Sequence, residues 1–248
     1  MDTGVWEIQT PGLEEADFDS NKAIVTVLVG EDKVKFLAPS VALQFWSPFF
    51  EAACSDRWQT PDKWTVELPE QEPASFQAFL MWIYTGSLGK LLFHPYPDTV
   101  PQAHEHWRVK WLGLAQCWVL GDYIGVSRFC NVVMNRMINV AEECYLKEGT
   151  VWCVSEAVIH YVYSNTVDTS PLRRLVVDTC VSRADCDNLE KVVLFDSLTN
   201  QEFKSDIFDL AMTKARDGNR IMDVWLQNSC HYHDHNNQET RYNCPTPW

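Results

Sequence analysis

The chain has 248 residues, 46% of them hydrophobic, enough to bury a core in one large or two modest domains. Its 20 basic residues stand against 34 acidic ones, and the formal charge of -14 repels phosphate backbones. With no basic run longer than Arg173-Arg174 and no apolar run near the roughly 20 residues of a bilayer span, neither nucleic acid nor membrane is an expected partner.

Met1 to Thr10 lacks the charged-then-apolar pattern of a secretion signal, and no Asn-x-Ser/Thr sequon occurs. Nine cysteines is an odd count. Cys54, Cys117, Cys130, Cys153 and Cys180 each lie singly in apolar patterns, where a reduced thiol acts as a small buried hydrophobe. The expected compartment is therefore intracellular, cytoplasm or nucleus.

Residues 1–23, with Pro11-Gly12, Glu14-Glu15 and Asp17, read as a flexible leader. Ile24 to Val29 is rich in β-branched residues, Gly30 to Lys33 supplies a turn, and Val34 to Phe36 restores alternation, which predicts a β-hairpin. Pro39 and Pro48 each suit a first helical position, with Ser47 as N-cap to the second, so two short helices follow. Trp64 to Leu68 alternates as a half-buried strand. After Pro73, residues Phe76, Phe79, Leu80 and Ile83 fall at i, i+3, i+4 and i+7, an amphipathic helix stopped by Gly86.

Residues 89–107, rich in proline and histidine, read as a loop insertion. Helical stripes then resume from Leu112. Leu112, Ala115, Val119 and Leu120 form one; Phe129, Val132, Val133, Met137 and Val140 form the next, past a break at Gly125. Val154 to Tyr163, the segment opened by Ser170-Pro171, and Phe203 to Ala211 add three more helices.

The order of hairpin, two short helices, strand and amphipathic helix resembles the BTB/POZ fold. The resemblance is carried by Phe36, Leu43 and Ser47-Pro48-Phe49-Phe50, then Glu67-Leu68-Pro69, Phe76, Phe79, Leu80 and Trp82-Ile83-Tyr84-Thr85-Gly86. Trp118 to Tyr123, through Asn131 and Met134, is similar to the helix pair that closes such domains. Ser170 to Asp178 resembles an extension found in many fungal BTB-domain proteins. The implied fold is α+β, a β-hairpin and short sheet flanked by helices, with an all-α C-terminal extension. The expected division is a leader (1–23), a BTB/POZ-like domain (24–145), a helical extension (146–226) and a polar Cys/His tail (227–248).

The resemblance implies a non-enzymatic protein–protein interaction module whose partners are other proteins, itself or a cullin among them. An alternative is a substrate adaptor of a cullin-type ubiquitin ligase. Cullin-binding members carry a hydrophobic-x-Glu motif where this chain has Trp58, Gln59 and Thr60, the candidate protein-binding residues, so the carboxylate is replaced by a hydroxyl. Ala38-Pro39-Ser40 stands where animal members have Val-His-Lys, and the leader lacks the helix and strand that dimeric members exchange. Trp46 and Trp64 read as core residues, whereas the polar flanks of Trp58 suit a core residue or an interface anchor equally.

Cys230, His233, His235 and Cys244 are thiolate and imidazole ligand types in C-x2-H-x-H-x8-C order. A polar tail that cannot fold on apolar burial can close on a structural zinc ion instead. The competing reading is a disordered tail with incidental histidines. His94, His104 and His106 read as solvated loop histidines. No nucleophile elbow, phosphate-cradling loop, dinucleotide fingerprint or H-E-x-x-H helix occurs. A metal-dependent hydrolase built on the tail ligands is the least favoured alternative.

Overall fold

The computed structural model describes residues 24–55, 64–88, 105–149, 154–182, 200–217, 226, 228–235 and 244. The chain divides into two compact units, Met1–Gly89 and Lys90–Trp248.

In the first unit, β1 (Ile24–Val29) pairs antiparallel with β2 (Val34–Pro39) and parallel with β3 (Thr65–Leu68), giving the order β2-β1-β3. The hairpin turn needs positive φ at Gly30 (77°) and at Lys33 (51°), and glycine meets that demand without strain. Val25, Val27 and Val29 are buried, while Ile24, Thr26 and Leu28 lie on the outer face with Leu37, the cross-strand partner of Thr26. This alternation is the period-2 pattern of a sheet covered on one side. Ile24 and Leu37 are 53% and 60% exposed, so the outer face carries apolar surface of its own.

Helices α1 (Ser40–Trp46) and α2 (Pro48–Ala53) pack together. Pro48 opens α2 as expected, and Ser47 caps it by accepting from the Phe50 amide at 3.3 Å. Pro39 departs from the expectation, because it stays extended as the last residue of β2, opposite Ile24, and precedes α1 instead of starting it. An edge strand tolerates a residue without an N–H. Helix α3 (Pro73–Thr85) buries Phe76, Phe79, Trp82 and Ile83 and ends at Gly86 in the left-handed region. Trp82 lies 4.7 Å from the half-buried Trp46, and Phe76 makes an edge contact with Phe36 at 5.2 Å. Trp64 is also half-buried, its carbonyl accepting from the Thr26 amide.

In the second unit, α4 (Glu105–Tyr123) packs on α5 (Ser127–Glu148) and on α6 (Glu156–Asn165). Helix α7 (Pro171–Ser182) packs on α6 and on α8 (Gln201–Asp217). The loop expected over 89–107 is corrected at its end, since residues 105–107 are helical. Trp107 and Trp111, four residues apart and both fully buried, draw this turn onto the core, and the Trp111 indole donates to the Met137 carbonyl at 3.0 Å. The helical stripe accordingly runs through Trp111 and Leu114, and Leu112 is only half-buried. Helix α5 runs without interruption through residue 145.

Ser155 and Ser170 cap α6 and α7 through their hydroxyls. Arg173, at 6% exposure, donates to the carbonyls of Tyr163 and Thr166 and to Glu202 on α8, tying three helices together. No helix among the described residues is long and apolar enough to cross a membrane.

Candidate metal centre

The site is assembled by a short segment, 228–235, docked on α5 and α7. Asn228 caps a 3-10 turn, Ser229–His231, its Oδ1 accepting from the Cys230 amide at 3.0 Å. The next residue, Tyr232, is fully buried, and its hydroxyl donates to Asp178 Oδ2 at 2.8 Å. One turn earlier on α7, Arg174 donates to the His231 carbonyl at 2.9 Å.

Helix α5 holds the other side through three polar residues spaced by four. Ser127 donates to Asp234 Oδ2 at 3.1 Å, and Asn131 meets both the amide and the carbonyl of Asp234. Asn135 Oδ1 lies 2.8 Å from His233 Nε2. An i, i+4, i+8 spacing puts all three on one face of α5, so the segment lies along that face.

Docked in this way, the segment brings Cys230, His233 and His235 together with Cys244, and the ligand atoms of all four lie within 4.8 Å of one another. Cys244 Sγ is 3.4 Å from Cys230 Sγ and 2.8 Å from His233 Nδ1. The His233 and His235 rings stand edge to face at 5.8 Å. Both cysteines are free thiols.

Two features bear on what the group can hold. His233 is 7% exposed, and burial first, then the neighbouring His235, lowers its pKa to about 4, so the ring stays neutral at physiological pH. Burial, with Cys230 adding to it, raises the Cys244 thiol to about 12. The second feature is His235, whose two ring nitrogens are buried and, among the described residues, without a hydrogen-bond partner. A buried imidazole must have at least one N–H to satisfy when neutral, so leaving both nitrogens unpartnered is costly. A cation bound through one of them removes half of that cost.

The donor set, two thiols and two imidazoles, suits zinc. Zn–S of about 2.3 Å and Zn–N of about 2.0–2.1 Å give tetrahedral edges of about 3.4–3.8 Å. The separations here run from 2.8 Å up to 4.8 Å, so closing on an ion takes side-chain shifts of up to about 1 Å. The set therefore fits the ion that the residue order suggests.

Of the other expected residues, Trp58, Gln59 and Thr60 lie outside the described residues, as do the leader, His94 and His104. His106 belongs to α4, its ring 4.2 Å from that of Trp107. A cavity of about 240 Å³ is lined by Asp168, Ser170, Arg174, Asp178, Asp206 and Asp209. The Ser170 hydroxyl there is committed to the Leu172 amide at the start of α7. The residues that reading by motif missed are Ser127, Asn131, Asn135, Arg174 and Asp178. Ser127, Asn131 and Asn135 had one signal, their polar spacing along α5; Arg174 and Asp178 on α7 had none.

No curated protein matches the chain, and no relative bears on the expected likeness to fungal members. The cluster lies beyond the segment matched to a family. Residues 18–105, which contain β1 to α3, match the family model of the BTB/POZ domain.

Proposed function

We propose that this chain is a non-enzymatic protein-interaction module, its C-terminal segment pinned to the helical unit by a structural zinc ion. BTB/POZ domains are generally protein–protein interaction modules. The observation that carries the metal reading is the pair of unpartnered, buried His235 nitrogens within a group of two thiols and a second imidazole. Cys230, His233, His235 and Cys244 would hold the ion. Four protein donors make a closed site with no open position for water, which favours a structural role over hydrolysis. Zinc would supply folding free energy beyond what the burial of Tyr232 gives this largely polar segment.

The test is elemental analysis of the purified full chain with Cys230→Ser and Cys244→Ser alongside. One zinc per chain, lost in both variants together with thermal stability, is the expected result. No zinc above background, with Cys230→Ser as stable as the parent, overturns the metal reading.

Support for partner binding comes from the outer face of the sheet, where Ile24 and Leu37 are exposed. Trp58, Gln59 and Thr60 are the further contact residues we assign, on the likeness of their position to the family's contact motif. Affinity capture with the parent chain and Leu37→Asp, both checked for folding, tests the surface. Proteins lost on substitution support it, and an identical set argues against it. A cullin-adaptor role is the weaker reading, because Thr60 stands in place of the carboxylate; it predicts cullin capture that strengthens in Thr60→Glu.

A further inference from the structure

We infer that Asn135 is the positioning residue of the metal centre, fixing His233 in the tautomer that presents Nδ1 to the ion. The inference rests on the zinc reading above and assigns the ligating atom and the group that selects it.

An imidazole ligand must offer a lone pair at one nitrogen and keep its proton on the other. Asn135 Oδ1, 2.8 Å from His233 Nε2, is an acceptor only, so the proton belongs on Nε2. Nδ1 is then left with its lone pair, and it is Nδ1 that lies among the ligand atoms, 2.8 Å from Cys244 Sγ. The reverse tautomer would point an N–H at the cluster and set a proton where the ion belongs.

The asparagine is held for this task. Asn131, one turn earlier on α5, pairs with both backbone groups of Asp234, so the residue following His233 is registered against the helix. Helix α5 thus supplies both the height of the segment and the acceptor for its imidazole. The amide oxygen supplies that acceptor without adding a charge of its own.

The experiment uses the full chain with zinc, read by chelator competition and by long-range proton–nitrogen NMR of the histidine rings. The parent is expected to show metal on His233 Nδ1 and the proton on Nε2. Asn135→Leu should weaken zinc binding by about 10- to 100-fold, the usual loss when such a partner of a metal-bound histidine is removed. Asn135→Asp, which keeps an acceptor, should retain the Nε2–H tautomer and recover most of the affinity. Metal on His233 Nε2 in the parent, or unchanged affinity and tautomer in Asn135→Leu, overturns the inference. If Asn135→Leu does not fold, the parent spectrum and Asn135→Asp still decide it. A parent that binds no zinc refutes the metal reading itself, a result separate from the failure of Asn135 alone.

Discussion

Asn131 and Asp234, 103 positions apart in sequence, are joined by two hydrogen bonds of 3.0 Å: the Asn131 amide nitrogen donates to the Asp234 carbonyl, and its oxygen accepts from the Asp234 amide. A side-chain amide here stands in for a neighbouring strand, closing the polar groups of an isolated segment on a helix. Asn131 is 4% exposed, so these bonds form largely away from water.

The first prediction is that Asn131→Ala frees the segment. Two backbone groups lose partners, each worth about 1–3 kcal/mol when left buried, and the segment escapes that cost by leaving the helix. Amide exchange over residues 229–235 should accelerate by orders of magnitude, with α4 and α6 protected as before. Unchanged exchange there would show that the remaining contacts suffice.

Elements encoded within a few residues differ in this chain from those fixed by distant contacts. The hairpin, α3 and its stop at Gly86 were legible because β-branched alternation, helical spacing and a left-handed glycine are encoded within a few residues. The start of α4 was hidden, since prolines and histidines before Trp107 suggest a loop, and the burial of that tryptophan against the later helices overrides them. Ligand types in the tail were legible as chemistry. Their support was not, because Asn131 and Asn135 look like ordinary polar positions on α5 until a partner about a hundred residues away is placed beside them.

Tyr232→Phe tests the α7 side of the dock. Asp178 is 7% exposed and accepts from the Tyr232 hydroxyl at 2.8 Å. Burial, then the Asp178 carboxylate, pushes the Tyr232 phenol up, so it remains a donor throughout the neutral range. Removing that donor from a buried carboxylate should cost about 1.5–3 kcal/mol in urea unfolding of the helical unit. A loss below about 0.5 kcal/mol would mean that water or His231 replaces the hydroxyl without penalty.

Arg173 separates charge from hydrogen bonding. Its ionic partners Asp168 and Glu202 have side chains 94% and 66% exposed, so screening leaves those pairs little worth. The carbonyls of Tyr163 and Thr166, by contrast, lose a donor when the guanidinium goes. Arg173→Met should therefore cost about 2–6 kcal/mol, from two carbonyls at about 1–3 kcal/mol each, with weak dependence on salt. Arg173→Lys should recover only part of the loss, since one ammonium cannot reproduce the planar fork. Denaturant unfolding at low and high salt checks both, and full recovery by lysine would contradict the argument.

Two glycines of α4 should respond to alanine with opposite signs. A Cβ at Gly113 meets nothing within 4 Å, whereas one at Gly121 would lie 2.7 Å from Cys130 Sγ and 2.9 Å from Phe129 Cδ1. Gly113→Ala gains the ordinary helix preference of alanine, about 0.5–1 kcal/mol. Gly121→Ala receives the same gain but must push α5 away, and overpacking of this kind costs about 1–3 kcal/mol. Phe129 and Cys130, in the first turn of α5, immediately precede Asn131, so the displacement should also loosen the docked segment. Stability of the two variants by urea unfolding gives the sign, and amide exchange at 229–235 reads the transmission. Equal stability of the two variants would mean that the helices separate at no cost and that glycine at 121 serves no packing purpose.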